Sequence, residues 1–455
     1  MSSLFGSISI SLRALLAQQG ALQTTTANIA NANTPGYARR RAVMTEEAPV
    51  FEAGLLIGRG VTISSVESVR DRILELRIQD ETQQQGASEA YVGAMQSVET
   101  LIGNSDGIAS QIDKFFNSIT RLSTDPSDIP LRQAVLTAGS NLAGAFRDTA
   151  RKLASIQQNL DLGVQQSIAE VNRVVEQIGG LNTQVAALEK LGQDGGALED
   201  QRILLIRQLS TLIDVSIAES SDGLTLTTPG GQPLVVGSRT FTLETSPDPG
   251  TGMNRIIAGT ADITPELHAG RLGGLLSARD KSIAELSAGL DTLAFSLAQR
   301  LNNEHQSGFD LNGDAGGALF SLPADEHGAA STIAFLITNS AKIAASSDAS
   351  VGSNGNLANM SALRSEAIVG QATATDCYAN LVFRVGSEVA NGKAEAEASE
   401  MIVRQLDNQR GAISGVSMDE EAANLIRFQR AFEAAARVIS VVNELTQTAV
   451  NLGRN

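Results

Sequence analysis

The chain has 455 residues, 42% of them hydrophobic, which is enough for about two to four domains with real cores and excludes disorder throughout. A formal charge of −16 and a pI near 4.7 argue against a nucleic-acid binder, whose phosphate contacts need Lys and Arg, and disfavour an anionic membrane surface. With no Trp, 4% aromatics, one cysteine and three histidines, the cores must be aliphatic, no intramolecular disulfide is possible, and a Cys- or His-based metal site is not expected.

The first stretch with structure to read is the N-terminus. Ile8, Leu15, Leu22 and Ile29 recur every seven residues and Leu12 fills one intermediate position, so a helix of roughly 30 residues with one thin apolar seam is expected. Its other face is Ser, Gln, Thr and Asn, and a helix so thinly apolar needs a partner to be stable. Arg13 interrupts the apolar run, so no cleaved secretory signal is expected there. Residues 1–45 hold four Arg and no Asp or Glu, a composition that suits either an organellar transit peptide or an unusual terminal helix. The helix ends in "ANIANANTPGY", residues 27–37, where Pro35 cannot extend it and Pro-Gly fits a type II turn.

Residues 42–65 read as an extended segment or small hairpin broken by Gly54, Gly58 and Gly60. Helical pattern returns from about Val66 to Ile102, again over 108–123, and from after Pro130 to about Leu191, the last with a break allowed. Within that third helix Val171, Val174, Ile178, Leu181, Val185 and Leu188 alternate steps of three and four. A further helix is expected over 196–213. From Asp214 the texture changes to short strand pieces separated by Ser-Asp-Gly, Pro-Gly-Gly and Gly-Ser, which reads as antiparallel β structure to 262.

Helix is expected from Leu272 to Gln306, a strand in "STIAFLIT" (331–338), a loop in "SSDASVGSNGN" (346–356), and a nearly continuous helix from Met360 to Arg410 with weak points at Gly370, Gly386 and Gly392. The chain ends in a broader amphipathic stripe. Leu425, Phe428, Phe432, Ala435, Ile439, Val442, Thr446 and Ala449 step three and four in turn, with Val438, Val441, Leu445 and Leu452 beside them. The expected fold class is mainly α with a small antiparallel β domain. Its parts are 1–65 (terminal helix, turn, extended segment), 66–213 (long helical bundle), 214–262 (β domain), 263–360 (helix with mixed strand and loop) and 361–455 (helices returning to the first).

No pattern announces catalysis. Asp310, Asn312 and Asp314 alternate like the first ligands of a calcium loop, but Ala315 and Ser321 stand where Gly and Glu belong, so an Asx-rich turn is the better reading. Cys377 lies in a helical pattern and reads as an inert, packed thiol. His268, His305 and His327 lack metal-binding spacing.

The segment from Leu4 to Met44 resembles the N-terminal motif of the axial proteins of the bacterial flagellum, and Asn28, Ala30, Asn31, Thr34, Pro35, Gly36 and Tyr37 carry the match. The segment 414–453, "DQRILLIRQLS" (200–210) and "GFDLNGDAGGALF" (308–320) are similar to the FlgK family of hook-associated proteins within that group. The resemblance covers both ends and several internal blocks. Residues 321–360 look too brief for the second β domain that larger members carry.

What the resemblance implies is a structural subunit without enzymatic activity or cofactor, placed outside the cell at the hook–filament junction after a transient cytoplasmic stage. Implied partners are further copies in a ring, the hook protein, a second junction protein on the filament side, the type III export apparatus, and an export chaperone on the C-terminal helix; neither nucleic acid nor membrane is among them. The implied assembly surfaces are the N-terminal seam (Ile8, Leu12, Leu15, Leu22, Ile29) and the C-terminal seam, which would also hold the chaperone (Leu425, Phe428, Phe432, Ala435, Ile439, Val442, Leu445). A rod or hook subunit, which shares the N-terminal motif, is the alternative.

Overall fold

The computed structural model describes residues 2–52, 55–104, 106–191, 195–220, 223–350 and 352–452. Four details of the sequence reading lie outside them: Gly54, Ser221–Asp222, the loop position Val351, and the side chain of Leu452. The protein is mainly helical, with small antiparallel sheets, as its aliphatic composition implies.

Helix α1 (Ser2–Ala30) leads through a turn into strands β1 (Arg40–Glu46), β2 (Val50–Glu52), β3 (Leu55–Ile57) and β4 (Val61–Ser68). β1 pairs antiparallel with β4, and β2 with β3, so the segment is a ladder tipped by a second small hairpin. The helical pattern expected from Val66 begins later, because β4 runs on to Ser68. Asp71 then caps α2 (Arg72–Ile102) by accepting the amides of Ile73 and Leu74 at 3.0 and 3.1 Å.

Helix α3 (Ile108–Leu122) precedes α4 (Ile129–Lys190), which is one unbroken helix of 62 residues, about 93 Å long at 1.5 Å per residue. Asp128 starts it by accepting the Leu131 amide at 2.8 Å, and Pro130 sits in the first turn, where its missing N–H costs nothing. Helix α5 (Gly196–Leu212) folds back along α4.

The β region follows with β5 (Ser216–Ser220), β6 (Gly223–Thr227), β7 (Pro233–Val236) and β8 (Arg239–Thr240) in one meander. Strands β9 (Leu243–Pro247), β10 (Asn254–Ala258) and β11 (Ala261–Asp262) form a second. Side chains on the helices clamp both. Gln83 of α2 exchanges two hydrogen bonds with the Val215 backbone (3.0 and 3.2 Å), and Asn172 of α4 does the same with Leu243 (2.8 Å each).

Two apolar cores result, and α4 passes through both. The first half of α4 (Val135 to Leu153) packs with α3 and the C-terminal half of α2. Its second half (Val164 to Ile178) packs with α5 and the β strands. The expected seam is buried there at Val171, Val174, Ile178 and Val185.

The helix expected over 272–306 is interrupted. Helix α6 (Gly270–Leu276) passes through one π turn (Ser277–Ser282) into α7 (Ile283–Gln306). The widened turn frees the Arg279 carbonyl, which Gln157 of α4 takes at 2.9 Å. It also directs the buried Arg279 guanidinium onto Asp161 of α4, whose carboxylate accepts the Asn254 amide of β10 at 2.8 Å. The ion pair thus sits where the two cores meet on α4.

Residues 307–354 hold only short helices, α8 (Ala329–Thr332) among them, with turns and isolated bridges. The strand expected in "STIAFLIT" is absent: the segment is extended from Ile333, but Phe335 makes one bridge to Phe320, and their rings meet edge-to-face at 5.2 Å. Tertiary packing of two Phe side chains decides its path, which periodicity cannot report. Asp310 forms the Asx turn, accepting the amides of Asn312 (2.8 Å) and Asp314 (3.0 Å) and pairing with Lys342 at 3.0 Å. Burial pushes its carboxyl up, yet the Lys342 ammonium and the two amides outweigh it and hold it below the usual carboxylate range.

The long helix expected from Met360 is two. Helix α9 (Gly355–Ala362) ends before a turn containing Gly370 at φ +60°, and Thr373 caps α10 (Ala374–Ser414). Gly386 and Gly392 do not weaken α10. A Cβ at Gly392 would lie 2.8 Å from Val92, so this glycine lets α10 approach α2 closely. Cys377 is half-buried, and burial pushes its thiol up, away from thiolate chemistry. Helix α11 (Met418–Leu452) runs back beside α1.

The 307–354 segment is held by His305, which is fully buried at the end of α7. Its Nδ1 donates to the Gly317 carbonyl (2.7 Å) and its Nε2 accepts the Ala344 amide (2.9 Å), which requires the neutral ring. Burial lowers its pKa, against opposing pulls from the Gly317 carbonyl and Asp310. The contribution to stability is therefore full above the unfolded value of about 6.5 and is lost as pH falls through the lower folded value. Calorimetry should show the melting temperature falling as pH drops below about 6.5, and His305→Gln should flatten that fall; an equally steep fall in the variant overturns the assignment.

Candidate functional site: the root of the terminal helix pair

The polar run at the end of α1 owes its place to one side chain. Asn28 is 1% exposed and satisfies its whole amide. Its Nδ2 donates to the Arg40 carbonyl (2.9 Å) and to Glu421 Oε2 (3.1 Å). Its Oδ1 accepts the Arg40 amide (2.9 Å) and the Tyr37 hydroxyl (2.8 Å). Two donors and two acceptors are all an asparagine offers, so α1, the turn, β1 and α11 are fixed by a single residue.

The turn is built to deliver those partners. The Tyr37 amide returns to the Thr34 carbonyl at 3.2 Å, and Gly36 has φ +79°, as a type II turn demands of its third residue. A Cβ on Gly36 would lie 2.6 Å from Leu204 of α5, so the position needs glycine for space as well as for conformation. Asn31 does not cross to another helix. It closes the helix end, donating to the Ala27 carbonyl (2.9 Å) and accepting the Thr34 hydroxyl (3.2 Å). Ala30, Thr34 and Pro35 are exposed.

Charged partners that the sequence did not single out surround this centre. Arg39 pairs with Glu420 and Glu421, both at 2.7 Å, while its amide donates to the Ser414 carbonyl (2.8 Å) and its carbonyl accepts the Val69 amide (2.8 Å). Arg40 stacks on Tyr37 and reaches Asp200 of α5 at 3.3 Å, where Arg70 also pairs. Burial draws the Arg70 pKa down, while Glu75 and Glu199 pull it back up. Arg410 of α10 joins Glu75 of α2 at 2.6 Å and the Gly36 carbonyl at 3.1 Å. The unusual absence of acids in residues 1–45 was the available signal. Arg13, Arg39 and Arg40 meet their carboxylates on other elements (Glu47, Glu420 with Glu421, and Asp200).

Above this root α1 and α11 pair along their lengths, with the β1–β4 ladder as a third wall. The deeply buried face of α1 is its small one: Ala17, Ala21, Thr25 and Asn28, stepping four, four, three. Gly20 meets Ile63 of β4 so closely that a Cβ there would lie 2.4 Å from it. In the N-terminal seam Ile8, Leu15, Leu22 and Ile29 are half-buried and Leu12 is 49% exposed. In the C-terminal seam Val442 is buried, Leu425, Phe428, Phe432, Ala435 and Ile439 are half-buried, and Leu445 is 53% exposed. Leu16, Ile426, Val438, Val441 and Val450 also face outward. The pair leaves a long apolar surface uncovered.

Among the described residues no group of His, Cys, Asp or Glu is placed to hold a metal, and no helix is long and apolar enough to cross a membrane.

Comparison with known proteins agrees with this geometry. Residues 8–37 match the model of flagella basal body rod proteins, and 409–452 match the model of the C-terminal part of the basal body rod FlgEFG proteins. The fold and the terminal pair are thus those of an axial component of the bacterial flagellum. Residues 94–320 match the model of the helical domain of the flagellar hook-associated protein FlgK. The chain is similar to flagellar hook-associated protein 1 of Bacillus subtilis (29% identical, covering 99% of each chain) and of Escherichia coli (27% identical, 99% of this chain and all of the relative). A solved structure of the hook junction protein FlgK from Burkholderia pseudomallei superposes with a TM-score of 0.67 at 17% identity, over 74% of this chain and all of that one. The chain belongs to the FlgK family of flagellar hook-associated proteins. Both alignments extend over more positions than its 455 residues, so these relatives carry sequence that it lacks.

The root makes a quantitative demand. Asn28→Ala leaves the half-buried Arg40 amide and carbonyl without this partner, at a cost of about 1–3 kcal/mol each, and removes one of the donors to Glu421. Hydrogen exchange should show α1 and the start of α11 losing protection together. Asn28→Asp, which sets a second carboxylate against Glu421, should be worse. Protection unchanged in both would remove Asn28 from its central role.

Proposed function

We propose that this protein is a structural subunit of the hook–filament junction, needed for filament assembly and so for motility. The observation that carries the reading is the uncovered apolar stripe on the α1–α11 pair, about 43 and 52 Å of helix with Leu12, Leu16, Val438, Val441 and Leu445 facing out. A pair this exposed gains its stability from neighbours, as helices packed side by side in a tube do. Copies of the protein in a ring supply those neighbours, the hook protein meets the ring from one side, and a second junction protein meets it on the filament side. The family resemblance supports passage through the type III export apparatus in an unfolded state and location outside the cell. It also supports a cytosolic chaperone that covers the stripe from Leu425 to Leu445 before export. The role assigned is mechanical, with no catalysis and no cofactor.

A rod or hook subunit is the second reading, because the models matching the two ends describe basal body rod proteins. Deleting the gene separates them. Cells should keep their hooks and release unpolymerised flagellin into the medium, whereas loss of hooks would move the protein down the axis and intact filaments would end the proposal. In the same strain, Leu12→Asp with Leu445→Asp should abolish filament formation. The purified variant should keep its helix content, because both positions are exposed in the monomer.

A further inference from the structure

Among the described residues, two of the exposed apolar features outside the terminal pair complement each other. One is the β2–β3 hairpin, where Phe51 is 72% exposed, Val50 45% and Ile57 39%. The other is a groove of about 580 Å³ between α4 and α5, floored by Leu181, Leu204 and Leu205 and rimmed by four glutamines, with no charged residue in its lining. A groove of this size admits one aromatic ring with an aliphatic neighbour. An uncharged, apolar floor selects an apolar occupant, and the hairpin carries one charge, Glu52, between Val50 and Ile57 among its described residues.

The two features lie at different heights along the terminal helices. The groove starts at the root, since Leu204 is the side chain that Gly36 meets. The hairpin is carried the other way. The ladder runs from Arg40, beside Asn28, down α1 past Gly20, which touches Ile63, to Gly60, which touches Ile10. Asn28 and Ile10 are eighteen residues apart on one helix, about 27 Å. The hairpin lies beyond Ile10, so it does not reach the groove of its own chain. A copy shifted along the axis by roughly that distance, toward the C-terminal end of α1, brings its hairpin level with this groove.

We propose that the β2–β3 hairpin of one copy docks in the α4–α5 groove of a second copy, Phe51 entering over Leu204. The contact joins unlike surfaces, so it propagates around or along an axis instead of closing as a dimer. It rests on the assembly reading above and names the contact between copies.

The test places the photo-crosslinking residue benzoylphenylalanine at position 51 of the full-length protein in motile cells. Irradiated flagella should yield crosslinked dimers and longer multimers, with position 51 joined to a peptide from the segment 196–212. Crosslinks to another element, to another protein, or only within one chain would overturn the docking while leaving the junction reading intact. Absence of the unaltered protein from flagella would overturn the junction reading itself. In parallel, Phe51→Asp should lower the amount of protein in flagella at least tenfold with monomer helix content unchanged, and Phe51→Leu should retain it. Normal incorporation of Phe51→Asp also rejects the contact.

Discussion

The amide of Asn28 is the constraint on which the arrangement depends. It is buried where α1, the Pro-Gly turn, β1 and α11 converge, and each of its four hydrogen-bonding positions is taken by a different group. A buried polar group that loses its partners costs more than the same group gains in water, so the four segments are held to one geometry. Neither an aspartate, which only accepts, nor a glutamine, one methylene longer, fits the same positions. Tyr37 is placed by the turn to meet this amide, and Gly36 is required for the turn. The motif therefore behaves as one device.

From that point the constraint passes outward through charge pairs. Arg40 to Asp200 reaches α5, Arg410 to Glu75 ties α10 to α2, and Arg207 to Asp407 joins α5 to α10 with a bond of 2.8 Å. These pairs are partly buried and hydrogen-bonded, so they set orientation more than they add stability. They connect the terminal pair to the body of long helices. Helix α4 then carries the geometry through both cores, and the Arg279–Asp161 pair at the π turn fixes how those cores meet. The molecule is a set of long helices and small sheets joined at a few specified points.

The terminal pair itself is only half a structure. Its close inner face is made of Ala, Gly, Thr and Asn, which lets α1, α11 and the ladder approach, while the larger side chains divide between partial burial and solvent. Small residues bring helices near but bury little area, so the stability of the pair is left to contacts made in the assembly. The charge distribution serves the same end. A strongly acidic body meets an N-terminal segment in which Arg13, Arg39 and Arg40 find their carboxylates within the chain.

Much of this was legible in residue order. Helical pattern located α3, α4 and α5 to within a residue or two, and heptad or three-four spacings marked α1 and most of α11, because a helix that buries one face must repeat its apolar residues at the helical period. Pro35 and Gly36 declared their turn, since backbone restriction is a property of the residue itself. What tertiary structure alone decided was where periodicity and local preference have no voice. The strand expected in 331–338 gave way to the packing of Phe335 on Phe320. Gly392 stayed helical because α2 lies against it. The partner of the π turn's Arg279 and the carboxylates that meet Arg39 and Arg40 are groups more than a hundred residues distant. A sequence records which side chains need partners; which partners they receive is settled only when the chain has brought distant groups within hydrogen-bonding reach.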